Sequence, residues 1–292
     1  MLGKFQQMHR YIQWFFVLVL LGSYVGCSGL NTKNEMPTAA KGTLAQGEQL
    51  FHAGKLSDAK HIFSEALQKT PGQHSLLNAR GFVYAKQKNW DDAIKDFTLA
   101  IKLAPQHLQY RENLGIVYLE AGYPGKAIHH FSHILERKPD SPKTLNYRGM
   151  AFNRLERYHK AIHDLSKALS LDQPQAEMYL NRAVAYIQVG ETASAKKDLD
   201  QAITLSPTLH QAYESRGLLE LINGETTLAI NDFTTAIHLG ADGGLLHYNR
   251  GMAFTMAGHN AKAQLDYDLA CQRQIIQACS QIAKPTHAHH QL

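Results

Sequence analysis

The sequence predicts an all-α chain, a row of helix pairs stacked one on the next. Three observations predict it. First, a small residue and an alanine recur twelve residues apart: Gly47/Ala59, Gly81/Ala93, Gly115/Ala127, Gly149/Ala161, Ala183/Ala195, Gly217/Ala229 and Gly251/Ala263, each pair 34 residues from the next without insertion or deletion. Second, four residues after each alanine stands a large apolar side chain (Phe63, Phe97, Phe131, Leu165, Leu199, Phe233, Tyr267), and three further on Ala66, Ala100, Ile134, Ala168, Ala202, Ala236 and Ala270. Third, Pro71, Pro105, Pro139 and Pro207 end four of the units.

Each unit reads as two helices of about four turns joined by a short loop. Gly or Ala on one helix and Ala on the other let the two backbones approach closely, near the ~8 Å lower end for packed helices. The Phe or Leu a turn later fills the space beside that contact. Proline cannot continue a helix interior and so marks the break before the next unit. One unit cannot bury its apolar face alone; stacking does so.

This pattern resembles the tetratricopeptide repeat (TPR), whose period is 34 residues. The resemblance implies a right-handed α-solenoid of seven repeats over residues 40–273, starting at 40, 74, 108, 142, 176, 210 and 244, followed by a short capping helix at 274–284 and a disordered tail at 285–292. It also implies a protein-binding scaffold. No phosphate loop, nucleophile elbow, metalloprotease motif or zinc-ribbon spacing is present, and the expectation is a non-enzyme without a cofactor.

The elements follow in order. Residues 1–13 carry Lys4 and Arg10 and no acid, and an apolar run from Trp14 to Leu21 leads to Gly26-Cys27-Ser28. A basic start, a short apolar stretch and a small-residue exit make a secretory signal over 1–26. The run is shorter than the ~20 residues of a spanning helix. Gly26 and Cys27 resemble a bacterial lipobox, with Cys27 the lipid attachment site; Tyr24 departs from that pattern. An uncleaved signal-anchor in the inner membrane and ordinary secretion stand as alternatives. All three readings put residues 28–292 outside the cytoplasm, and Ser28 after the cysteine points to an outer-membrane lipoprotein by resemblance. Residues 27–39 read as a flexible polar tether.

Within the repeats, Arg80, Arg148, Arg182, Arg216 and Arg250 precede the small residue of their units. In those same units Asp96, Asp164, Asp198, Asp232 and Asp266 stand three residues after the alanine. Units one and three lack both, with Gln46/Ile62 and Leu114/His130 instead. Presence and absence agree in all seven copies, which predicts an Arg–Asp pair inside each unit that has them.

By resemblance, first helices line a concave groove. The residue after the small position is Glu48, Phe82, Ile116, Met150, Val184, Leu218 or Met252; four earlier come Leu44, Asn78, Glu112, Asn146, Leu180, Glu214 and Tyr248. The groove is expected to be an exposed apolar stripe edged by amides and acids, fit for a helix or an extended peptide. The alternative is that these side chains simply pack between neighbouring first helices. The Lys/Asn/Arg clamp by which some relatives hold a terminal carboxylate is missing from the matching positions.

His129, His130 and His133 in unit three and His159 and His163 in unit four give i,i+4 pairs. A metal- or small-ligand-binding periplasmic protein using His129, His133 and His163 is therefore the alternative function, against a solvated outer face. Cys271 and Cys279 lie about 12 Å apart on a continuous helix, too far for a disulfide. The repeat phase puts a turn near 273–277 that would bring them together, as in cysteine-bridged relatives of the family; two buried free thiols are the other reading. A net charge of +5 without a Lys/Arg block gives no footprint for nucleic acid. The expected partner is a protein or peptide.

Overall fold

The computed structural model describes residues 38–171 and 174–282. The signal segment, Cys27, residues 27–37 of the tether and the 285–292 tail lie outside them. The fold is all-helical. First helices are α1 (Thr38–His52), α3 (His74–Lys86), α5 (Leu108–Glu120), α7 (Pro142–Arg154), α9 (Ala176–Gln188), α11 (His210–Ile222) and α13 (Gly244–Met256). Second helices are α2 (Leu56–Lys69), α4 (Trp90–Leu103), α6 (Pro124–Arg137), α8 (Tyr158–Ser170), α10 (Thr192–Leu205), α12 (Thr226–His238) and α14 (Asn260–Gln272). A final turn, α15 (Ile276–Cys279), is four residues long rather than the eleven-residue cap expected over 274–284, because Ser280 and Gln281 already turn away. The described residues form two compact bodies divided between Ala168 and Leu169. The first holds units one to four, the second units five to seven.

The turn inside each unit repeats as strictly as the helices. The residue after the first helix's cap is left-handed in every unit: Gly54, Lys88, Gly122, Glu156, Gly190, Gly224 and Gly258 have φ between 57° and 83°. The following N–H reaches back five residues, as Asn89 to Tyr84 O and Tyr123 to Tyr118 O, and the left-handed residue reaches back three. This is the Schellman arrangement, which satisfies carbonyls that a helix end leaves bare. Lys88 and Glu156 adopt it without glycine's freedom. Prolines 71, 105, 139 and 207 fall in the turns between units.

Close approach at the small residue sets the packing. A Cβ added at Gly47 would lie 2.3 Å from the Phe63 ring, and one at Gly81, Gly115, Gly149, Gly217 or Gly251 would lie 3.0, 2.6, 2.6, 2.9 or 2.8 Å from Phe97, Phe131, Leu165, Phe233 or Tyr267. The opposing alanines are at most 2% exposed and those large side chains at most 6%. Unit five packs Ala183 over Leu199 instead, both wholly buried.

Gly115→Ala should therefore lower unfolding free energy by roughly 1–3 kcal/mol through overpacking. Gly125→Ala, on the same unit's second helix where an added methyl meets nothing within 4 Å, should be neutral or stabilising by up to about 1 kcal/mol. Urea denaturation of both variants measures the contrast.

Candidate partner-binding face and its ion-pair scaffold

The structure brings the five arginines and five aspartates together within their units. Nε lies 2.7, 2.6, 2.7, 2.6 and 2.8 Å from the Asp Oδ2 for Arg80, Arg148, Arg182, Arg216 and Arg250. Nη2 lies 2.8–3.0 Å from Oδ1 in all five. This two-toothed geometry suits the planar guanidinium. The aspartates are buried and the arginine side chains 18–22% exposed.

Two partners of these arginines escaped the sequence reading. The free Nη1 donates to the second helix of the preceding unit, to Ser64 from Arg80, Ser132 from Arg148, Asp200 from Arg216 and Thr234 from Arg250. The guanidinium also sits 5.6–5.8 Å from the ring four residues on, at Tyr84, Phe152, Tyr186 and Phe254. Both rows were visible: a small acceptor recurs five residues after the repeat alanine, and an aromatic recurs four after the arginine. Arg80, Arg148, Arg216 and Arg250 thus tie their own two helices to the unit before. In unit six the aromatic is replaced by Glu220, which is buried with Oε2 unpartnered.

In unit three, where both ion-pair residues are missing, Leu114 is buried and His130 stacks on Tyr118 with ring centroids 5.5 Å apart. Burial, then His129, Arg111 and His133, hold the His130 imidazole down at about 4. The His129, His133 and His163 cluster of the alternative reading does not form. Among the described residues no three His, Cys, Asp or Glu side chains converge where a metal could sit. His130 is turned onto Tyr118, and His163, 79% exposed, lies 3.4 Å from Asp164. Cys271 and Cys279 are joined by a disulfide. The chain reverses at Gln274, whose φ of 67° supplies the turn that no Gly or Pro provides there.

The first-helix face differs most from expectation. Phe82, Ile116, Val184 and Leu218 are 8, 7, 1 and 2% exposed, so they are floor rather than exposed stripe. Phe82 stands edge-on against Phe97 of its own second helix, ring centroids 5.3 Å apart. Met150 and Met252 stay partly exposed while packing on the core. The row four residues earlier is buried too: Asn78, Asn146 and Tyr248 are 2, 9 and 9% exposed. Its polar members build a network in the first body. Asn113 Nδ2 donates to Asn78 Oδ1 at 2.8 Å, and Gln109 Nε2 donates to Asn113 Oδ1 at 3.1 Å and Glu112 Oε2 at 3.0 Å. Lys143 Nζ and Thr144 Oγ1, from the next unit, reach the Glu112 carboxylate at 2.7 and 3.1 Å.

With this geometry in view, the comparisons decide the family. Models described as "Tetratricopeptide repeat" match residues 72–140, 112–176 and 176–209. The chain belongs to the tetratricopeptide-repeat family. Its fold is similar to that of a tetratricopeptide repeat protein from Parabacteroides merdae, with a TM-score of 0.69 at 20% identity, covering 84% of this chain and 98% of that one. It is also similar to Pseudomonas aeruginosa pilF, with a TM-score of 0.60 at 16% identity over 70% and 96% of the two chains. A chain of the Cut9–Hcn1 hetero-tetramer of APC/C matches with a TM-score of 0.65 at 18% identity, over 85% of this chain and 48% of that one. In sequence, 102 residues are 30% identical to the mouse WD and tetratricopeptide repeats protein 1, spanning 34% of this chain and 15% of that protein. Tetratricopeptide repeats generally mediate protein–protein interaction and typically serve as non-enzymatic scaffolds.

Removing one partner of a buried pair leaves the other charge stranded. Arg182→Met should cost roughly 3–5 kcal/mol, and Arg182→Met with Asp198→Leu should recover most of it, read from denaturant midpoints. Stability should also carry a pH signature as neutrality is approached from either side of 7. Burial raises Glu214 to about 7, and burial followed by Asp232 raises Glu220 to about 7. A raised carboxyl favours folding below its unfolded value and loses that favour as pH climbs through 7. Between pH 8 and 6.5 the melting temperature should therefore rise on acidification, and Glu214→Gln with Glu220→Gln should flatten the rise. Below pH 6.5 His130, lowered to about 4, works oppositely, because the unfolded chain takes the proton first.

Proposed function

We propose that this chain is a protein–protein interaction scaffold of the bacterial cell envelope, engaging a helix or extended peptide along its first-helix face. The observation that carries the reading is a division of labour among positions. Residues that recur in every unit are consumed by packing and those of the Arg–Asp pairs by register. The first-helix rows beside them change chemistry from unit to unit, from Asn78 to Glu112 to Leu180 to Glu214 to Tyr248. A row that the fold does not hold constant is available to read a partner.

Envelope placement rests on the sequence of residues 1–28, with lipid on Cys27 or a retained signal-anchor as the means of attachment. The disulfide between Cys271 and Cys279 supports an oxidising compartment. Among the described residues no helix is long and apolar enough to cross a membrane. Binding would use the polar rungs for orientation and partly exposed thioethers for apolar contact, since methionine adapts to irregular surfaces.

A partner retained on the full chain from detergent-solubilised membranes should be lost on Met150→Glu and Met252→Glu together. The same variants must keep the wild-type helical content. A partner that stays bound to them sinks the first-helix-face reading. Leu218→Glu is the wrong probe, because a residue 2% exposed reports on folding.

A further inference from the structure

The two acids on the inner row of the first helices stand at the same repeat position but in opposite circumstances. Glu112 and Glu214 are 102 residues, three periods, apart. Glu112 is saturated: Lys143 neutralises it at 2.7 Å, and Thr144 and Gln109 donate to it at 3.1 and 3.0 Å. Moving each partner forward by the same three periods gives Leu245 for Lys143, Leu246 for Thr144 and Gln211 for Gln109. The cation and the hydroxyl have both become leucine. Glu214 is nevertheless 91% buried and, among the described residues, has neither hydrogen bond nor ion pair.

A lone buried carboxyl is costly, and native folds keep such groups only where something compensates. Solvent contact is not fully lost, so the group remains reachable. Around it the helical register sets an apolar floor: Leu218 lies one turn on along α11, and Leu180 and Tyr248 hold the same row in the units on either side. The next position along this face is the partly exposed Met252. Other carboxylates of the second body are engaged elsewhere: Asp198, Asp232 and Asp266 by arginine, Glu220 and Glu225 near Lys196 at 3.9 and 3.6 Å. On this row Glu214 alone is a carboxyl that no side chain among the described residues engages.

We infer that Glu214 is the recognition site for a cationic side chain of the partner, a lysine or arginine flanked by apolar residues, which supplies from outside the ammonium or guanidinium that Lys143 supplies to Glu112 from inside. The inference rests on the first-helix-face reading and sharpens it, from any peptide to one bearing a positive charge at one position. The apolar surround selects a cation with apolar neighbours, because a charge pair is strong only where water is excluded. It also makes the site selective against acidic peptides, whose carboxylate would meet Glu214 in the same low-dielectric setting.

The test uses the full chain and a phage-displayed library of random peptides of about seven residues. The wild type should enrich peptides with Lys or Arg at one fixed place between apolar residues. Replacing that residue by norleucine in the synthetic, N-acetylated peptide should weaken binding by roughly tenfold or more. Glu214→Gln, an isosteric change, should abolish the cation preference while apolar enrichment persists. Leu245→Lys, which rebuilds the Glu112 arrangement internally, should do the same. Enrichment without a cation, or a cation preference that survives Glu214→Gln, overturns the assignment while leaving the groove in place. Peptides that bind Met252→Glu as well as wild type, or no enrichment at all, overturn the first-helix-face reading and this assignment with it.

Discussion

Everything in this molecule depends on how closely two helices pass at one small residue. Where Gly115 faces Phe131, a methyl group would sit 2.6 Å from the ring. That distance fixes the helices' separation and, with it, the register in which the other rows meet. In the five units that carry one, the arginine just before the small residue lies at the same crossing, so its guanidinium reaches the aspartate across the pair. A wider crossing would leave the fork short of its carboxylate, and the buried aspartate would then be a liability rather than a staple. The glycine and the ion pair are therefore two readings of one constraint.

The same constraint explains which features were legible in the sequence. Tight crossings need Gly or Ala, a filler and a stop, and those residue types recur at fixed spacing because few others fit. Seven copies in one chain also serve as an internal alignment, which is why Arg80 and Asp96 could be matched while Leu114 and His130 went together. What was not legible depends on neighbours rather than on residue type. Phe82 and Leu218 sit on the expected side of their helices, yet periodicity gives direction and not depth, and both are buried. Lys88 and Glu156 occupy left-handed positions that a rule based on glycine overlooks. Gln274 does the same at the turn that joins Cys271 to Cys279. Spacing allowed the histidines of unit three a ligand role only as an alternative; no such cluster forms among the described residues, and His130 stands where an ion-pair residue stands elsewhere and lies against Tyr118.

Burial of the expected stripe changes what kind of recognition the face can support. An exposed apolar stripe would bind by area and discriminate poorly. A closed floor with polar rungs has less apolar area to give, and it places hydrogen-bonding groups where water is scarce. Such groups discriminate strongly, because a partner that fails to satisfy them leaves them unpaired. In the first body the rungs mostly satisfy one another: Asn78, Asn113, Gln109, Glu112, Lys143 and Thr144 form one connected set. A set already satisfied resists perturbation and contributes rigidity more than affinity.

The second body departs from that economy at one rung. Replacing Lys143 and Thr144 by their counterparts Leu245 and Leu246 removes the donors and keeps the acid, so the fold bears an uncompensated carboxyl that burial holds near 7. An acid at 214 carries a cost that glutamine, of the same shape, would not. Its retention beside leucine makes sense if the missing charge arrives with something else. On that argument the seven repeats divide into a part whose polar groups hold the scaffold and a part whose polar group waits for a partner, and the difference between them is written in two leucines.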